Sequence, residues 1–305
     1  MFVVKLYFLT MYQISMDFLA GASRAWALET FWKGALSPVA IRGGRELKDI
    51  TSMMCDMIDE YEPVWRQSIH IHPNIAYVVG GIPDITTRRQ GNDWRGKYEE
   101  VIFDFDHTLA LDYLDSEYHR CDQKLKQKGV IPVFATIATM DLARWNNHRN
   151  TKPKNPWKTR ATDYLLLQSE YPEMQDNLNS LIVDANDMLR RMNRRNGVET
   201  LDLARHIITP REGCKGGEIK YKIRTGGDKL HDGCHPTPKV AGEWVFHASA
   251  IRTVNRIQLS SPASVKITND HSLNKCDFVG NPLHLSTFKY NLSDFNTNPR
   301  RYNLY

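Results

Sequence analysis

Residues 14–23 read ISMDFLAGAS, and the order of residue types there decides the fold. Ile14–Ala20 reads as a short buried strand. Gly21-Ala22-Ser23 ends it, and an amphipathic run with Trp26, Leu28, Phe31 and Trp32 follows. Strand, small-residue turn and helix in succession is where α/β proteins place reactive groups, at the carboxyl end of a strand beside a helix N-terminus. Two roles are open to Ser23 there. It can be a reactive hydroxyl whose own N–H faces the same cavity, or a helix N-cap, which serine favours.

The pattern recurs downstream. SPVAIRGG gives a strand over 37–42 ending in Gly43-Gly44, and RELKDITSMMCDMIDEY follows with Leu47, Ile50, Met54 and Ile58 at helical spacing. NIAYVVGGIPDITTR gives a third strand, 74–79, ending in Gly80-Gly81-Ile82-Pro83-Asp84. Three successive strands that end in small residues argue for a doubly wound parallel sheet with its site along the carboxyl edge. Beyond them, IPVFATIAT (131–139) reads as a buried strand, and 150–160 as a basic loop. Helices are expected over 161–169 and 173–195, the second closing in RRMNRRNG with cations in its last turns and Gly197 as a stop. VETLDLARHI (198–207) reads as a last strand and 239–257 as the closing helix. The reading divides the chain into an α/β domain, 1–257, and a tail, 258–305, rich in Asn, Ser and Thr, wrapped on the domain or mobile.

Composition sets the class. The 305 residues carry a net charge of +5, which permits contact with nucleic acid without requiring it. The five cysteines are widely spread and contain no C-x-x-C pair, so they point to reduced thiols and an intracellular, cytoplasmic setting rather than a disulfide framework. Lys5 interrupts the apolar N-terminus and no clean cleavage site closes it, so it reads as chain rather than signal peptide. No stretch reads as a transmembrane helix. His70 and His72 would share a face of a strand, but no partner ligands accompany them.

The second informative stretch is Asp232-Gly233-Cys234-His235-Pro236. Pro236 fixes the backbone after His235, and Gly233 permits a tight turn before it. Asp232 can accept from one ring nitrogen, which leaves the other basic and pointed outward, the arrangement that activates a serine.

Together these stations resemble the SGNH (GDSL-like) hydrolase superfamily over roughly residues 14–257. Gly21-Ala22-Ser23 looks like the first block, Gly44 the second-block glycine, Gly81-Ile82-Pro83-Asp84 the third block and Asp232 with His235 the last. The resemblance implies a flavodoxin-like three-layer α/β/α sandwich with a central parallel sheet. It implies a serine esterase with Ser23 as nucleophile, His235 as base and Asp232 as its orienting acid. The N–H groups of Ser23 and Gly44 would form the oxyanion hole, and Gly81, Pro83 and Asp84 would border a substrate pocket. The substrate would be a small-molecule or biopolymer ester, and neither metal nor organic cofactor is needed. One departure stands out. Pro83 occupies the place of an asparagine that donates to the oxyanion, and losing one such donor typically costs about 10²–10³ in rate.

Two other functions are open. VIFDFDHTLA resembles the first motif of haloacid-dehalogenase-like, magnesium-dependent phosphatases, with Asp104 as nucleophile, Asp106 as acid/base and Thr108 in support. Thr136 or Thr139, Lys152, and Asp228 with Asp232 would be its further stations. Alternatively, Pro83 and the basic stretches 152–160, 190–195 and 300–301 suit a catalytically weakened SGNH-like domain that binds RNA or protein.

Overall fold

Strand β1 (Asp17–Gly21) is buried along its whole length, because helices cover both faces of the sheet it centres. The computed structural model describes residues 16–35, 37–66, 73–86, 107–151, 171–210, 221–223 and 229–260. Four strands, β2 (Val39–Ile41), β1, β3 (Asn74–Val79) and β4 (Val130–Phe134), lie in that order and all run parallel. This is the flavodoxin-like order 2-1-3-4, with its switch point between β1 and β3. Gly21 pairs with both Ile41 and Val79, so the carboxyl ends of β1, β2 and β3 lie side by side.

Side chains alternate along β1, as a two-residue period demands. Phe18 and Ala20 pack into a core with α2 (Leu47–Arg66), α4 (His107–Gln127) and α6 (Tyr171–Arg195). Leu19 packs on the other face with α1 (Trp26–Gly34) and α7 (Pro238–Ser260), where Trp32 and Trp244 are fully buried. The result is the three-layer sandwich. Two short helices, α3 (Ile82–Thr86) and α5 (Leu142–Thr151), lie beyond the carboxyl ends of β3 and β4. A small antiparallel pair, β5 (Ile208–Pro210) and β6 (Tyr221–Ile223), stands apart from the main sheet.

The last strand expected over 198–207 does not form. Residues 198–203 are irregular and a 3-10 turn spans Ala204–His206. Helix α6 supplies the reason. Asn193 accepts from the Phe134 N–H (2.9 Å) and donates to the Phe134 carbonyl (2.8 Å). Asn186 does the same for Ile137 (2.6 and 2.9 Å). Each side-chain amide thus imitates a neighbouring strand. Gln175 continues the series on the Leu142 N–H (2.9 Å) and the Met140 carbonyl (2.8 Å). Positions 175, 179, 186 and 193, spaced by four and seven, share one helix face. Among the described bonds Thr136 joins this edge to the 198–207 segment: its N–H donates to the Leu201 carbonyl (3.0 Å), and its hydroxyl donates to Asp202 (2.9 Å) and accepts from the Ala204 N–H (2.9 Å).

Three other expectations change. The strand expected over 131–139 ends at Phe134, and 135–140 continues as buried irregular chain. Residues 142–151 form helix α5, which takes in the first two positions of the loop expected over 150–160. The closing helix runs on to Ser260, past the boundary placed at 257; residues 261–305 lie outside the described ones, as does the helix expected over 161–169.

Candidate active site

Ser23 opens a 3-10 turn, Ser23–Ala25, directly after β1, and α1 continues from it. The Ala22 N–H donates to the Val79 carbonyl (2.9 Å), which fixes the turn over the β1–β3 switch point. Gly21 is required there, since a Cβ would lie 2.7 Å from the Val79 carbonyl oxygen and 2.6 Å from the Ala25 Cβ. No side-chain hydrogen bond caps the turn, so the N-cap role open to Ser23 is not the one it plays.

The Ser23 hydroxyl instead meets the far end of the unit. His235 Nε2 lies 2.9 Å from Ser23 Oγ, across 212 residues of sequence. His235 Nδ1 lies 2.6 Å from Asp232 Oδ2. The other carboxylate oxygen, Oδ1, accepts from the backbone N–H groups of Cys234 (2.8 Å) and His235 (2.7 Å). Burial opposes the charge on Asp232, but the His235 ring and those two N–H groups outweigh it and hold the carboxyl well below the usual carboxylate range. An ionised Asp232 accepts from Nδ1–H, which assigns the free lone pair to Nε2, facing the serine.

The turn that carries His235 is closed on itself. The His231 N–H donates to the His235 carbonyl (3.0 Å) and the Thr237 N–H to that of Lys229 (3.0 Å). Gly233 has φ +81, and a Cβ there would collide with the backbone of Asp141 and Trp145, so the turn sits directly against the start of α5. The Asp141 N–H donates to the Gly233 carbonyl (2.8 Å). His231 lies close by: its ring centroid is 5.8 Å from that of His235 and its Nδ1 is 3.4 Å from Asp232 Oδ1.

The remaining sequence candidates fall differently. Gly44 adopts φ +65 on an exposed turn, where a Cβ would meet nothing within 4 Å. Its neighbour Gly43 is the one that approaches the serine, with a Cβ position 3.8 Å from Ser23 Cβ and 3.0 Å from the Trp26 ring. Asp84, expected to border a substrate pocket, is engaged with α2. Both of its carboxylate oxygens accept from the Leu47 N–H (3.1 Å each), capping α2. Burial pushes its pKa up to about 7 against the pull of that N–H. Gly81 (φ +101) packs against Ile137 and Tyr118, and Pro83 sits half-buried in the first turn of α3, a place proline tolerates because its missing N–H has no helical partner there. No hydrogen bond among the described residues joins Gly81 or Asp84 to Ser23 or His235.

Sequence reading missed Arg24. It is 7% exposed, and its guanidinium donates to the Cys234 carbonyl through Nε (2.9 Å), to the Thr139 carbonyl through Nη2 (2.9 Å) and to the Ala138 carbonyl through Nη1. A lone arginine within the small apolar run GASRAWAL is the signal that could have found it. Asp104 and Asp106 lie outside the described residues, and Thr108 is exposed on α4. Thr136 and Thr139 hold structural bonds, to Asp202 (2.9 Å) and Asn179 (2.6 Å). Among the described residues no cluster of three or more His, Cys, Asp or Glu could hold a metal, and no helix is long and apolar enough to cross a membrane.

No family model matches the chain, and no curated protein matches its sequence. Solved structures of GDSL-like hydrolases are similar to it. A GDSL-like lipase from Bacteroides thetaiotaomicron aligns over 83% of this chain and 96% of its own, with 10% identity and a TM-score of 0.46. The psychrotrophic esterase EstA from Pseudoalteromonas aligns over 79% and 97%, with 10% identity and a TM-score of 0.39. The OSK domain of Drosophila Oskar aligns over 78% and 88%, with 8% identity and a TM-score of 0.38. At such identities and scores, none of these likenesses bears on what this chain does.

Proposed function

We propose that this protein is a serine acyl hydrolase acting on an ester through Ser23, His235 and Asp232. The observation that carries the reading is the unbroken relay from Ser23 Oγ to His235 Nε2 (2.9 Å) and from His235 Nδ1 to Asp232 Oδ2 (2.6 Å). Nucleophile and base lie within hydrogen-bond reach, and a third group orients the base.

In the reaction His235 Nε2 takes the Ser23 proton as Oγ attacks the ester carbonyl carbon. Asp232 stabilises the imidazolium that forms. The carbonyl oxygen becomes an oxyanion, met by the Ser23 N–H, which the first turn of a helix leaves without an intrahelical partner, and by an N–H of the Gly43-Gly44 turn. The imidazolium then gives its proton to the departing alcohol, leaving an acyl group on Oγ. Water, deprotonated by His235, releases the acid and restores the serine. Pro83 donates nothing, so the hole relies on backbone donors, and turnover is expected about 10²–10³ below that of a hole with a side-chain amide in place.

Hydrolysis of a panel of p-nitrophenyl esters tests the reading. The expected result is turnover above background that Ser23→Ala removes; equal release by wild type and Ser23→Ala would refute it. A second reading rests on Pro83 and on Arg191, Arg194 and Arg195, which the end of α6 leaves exposed. A domain weakened in catalysis would then bind RNA, and salt-dependent RNA binding without ester turnover would favour it.

A further inference from the structure

The elements of the proposed triad come from opposite ends of the unit, and the bonds within the Asp232–His235 turn fix its shape rather than its place. Its shape is set by Asp232 on two backbone N–H groups and by the His231–His235 and Lys229–Thr237 bonds. Its place over the sheet depends on contacts outside it: at the start of α5, the Asp141 N–H on the Gly233 carbonyl (2.8 Å) and Arg144 Nε on the His231 carbonyl (3.2 Å), and beyond these, contacts with the strand ends. Arg24, the residue after Ser23, makes such contacts from within the nucleophile's own 3-10 turn. Its guanidinium reaches from the end of β1 to the Ala138 and Thr139 carbonyls of the buried chain after β4, and to the Cys234 carbonyl directly before His235. Nη2 also lies 3.7 Å from Cys234 Sγ. A planar fork with fixed donor directions suits this task, whereas an ammonium on a flexible stem cannot hold several carbonyls in one plane. The acceptors on the β4 side are themselves rigid, because 135–140 is buried and anchored by Asn186 on Ile137.

We infer that Arg24 is a positioning residue: it clamps the His235 turn and the end of β4 to the nucleophile's turn, and so sets the Ser23–His235 distance. The inference rests on the hydrolase reading for its kinetic consequence but not for its geometry. A displacement near 1 Å at a reacting pair costs about 10² in rate. Arg24→Met should therefore lower kcat about a hundredfold with KM changed less than about threefold. Arg24→Lys, which keeps the charge and loses the fork, should recover less than a tenth of that loss.

The deciding experiment adds a readout independent of turnover, the ¹⁵N shift of His235 Nε2. Ser23→Ala removes the hydroxyl partner and supplies the reference shift. Arg24→Met should move Nε2 toward that reference while the Nδ1 signal, set by Asp232 within the turn, stays in place. Should Arg24→Met fail to fold, Arg24→Lys carries the same two measurements. If Nε2 keeps its wild-type shift and kcat stays within twofold of wild type, the inference is overturned. Displaced Nε2 in a protein whose wild type hydrolyses no ester would keep the positioning role and remove the hydrolase reading. An unmoved Nε2 with lower kcat would remove the positioning role and keep the hydrolase.

Discussion

Strand β1 and helix α7 join two charged clusters at opposite ends of the sheet. At the amino end of β1, Asp17 is fully buried and its Oδ2 accepts from Arg252 Nε (2.7 Å) and Arg256 Nε (3.1 Å). Arg252 also lies over the Trp32 ring, 4.7 Å from its centroid. Just past the carboxyl end, Ser23 meets His235, three residues before α7 begins. The helix thus runs antiparallel to the strand, from the candidate site to the ion cluster. The two carboxylates differ in their company. Asp232 has both oxygens bonded and a ring that can exchange a proton. Asp17 has two guanidiniums that cannot, and its Oδ1 has no hydrogen-bond partner among the described residues. On the proposed reading one end moves a proton, while the other holds fixed charge. Substitutions at the two ends should separate chemistry from stability.

The largest effect is expected at the carboxyl end. Asp232→Asn should lower kcat about 10⁴-fold, because the amide favours the wrong His235 tautomer. Urea unfolding should show a stability change under about 2 kcal/mol, since the amide oxygen still accepts from the turn's N–H groups. Asp17→Ala should invert the pattern. Leaving Arg252 buried without its partner should cost about 3–5 kcal/mol of stability, while folded protein at low temperature keeps its ester turnover. Comparable kcat losses in both variants would break the division between the two ends.

A smaller effect tests the edge of β4. Asn186→Ala orphans the Ile137 N–H and carbonyl, and a loss of roughly 2–4 kcal/mol is expected from thermal or urea unfolding. The smallest effect is in pH dependence. His247 is buried and accepts from the Asp202 N–H (3.0 Å), and burial, with Arg205 adding to it, pulls its pKa down to about 4. Between pH 6.5 and 4 the unfolded chain binds a proton that the folded protein refuses, so stability falls as pH falls, by up to about 3 kcal/mol. Asp84 opposes it: with a folded pKa raised to about 7, it contributes stability below pH 4 that is lost as pH rises toward 7. Urea unfolding of His247→Gln at pH 4.5 and 7 should show the variant gaining roughly 2 kcal/mol on wild type at the lower pH. No relative gain would assign the acid response elsewhere.

The fold was legible where local pattern and tertiary role coincide. β1 and β3 each end in small residues because turns pack closely there, as Gly21 against Val79 shows. Asp232 and His235 were legible because the turn makes their contact within four residues. What depended on distant partners was not. Residues 198–207 carry strand-like sequence, yet Asn186 and Asn193 had already met the β4 edge from a helix. Gly44 was matched to the second-block glycine by resemblance, while it is Gly43 that approaches Ser23, where the turn folds over Trp26. Asp84 reads as part of a pocket motif but caps α2, thirty-seven positions back in the chain. Arg24 and Asp17 find their partners more than a hundred residues away, and nothing local announces either bond.

Covalent capture of the nucleophile tests the central claim most directly. Intact protein incubated with a fluorophosphonate at neutral pH should gain one phosphonyl group, and peptide mapping should place it on Ser23. His235→Ala should slow the reaction by at least about 10³. A protein that takes no label, or takes it at another residue at the same rate with and without His235, would contradict the triad.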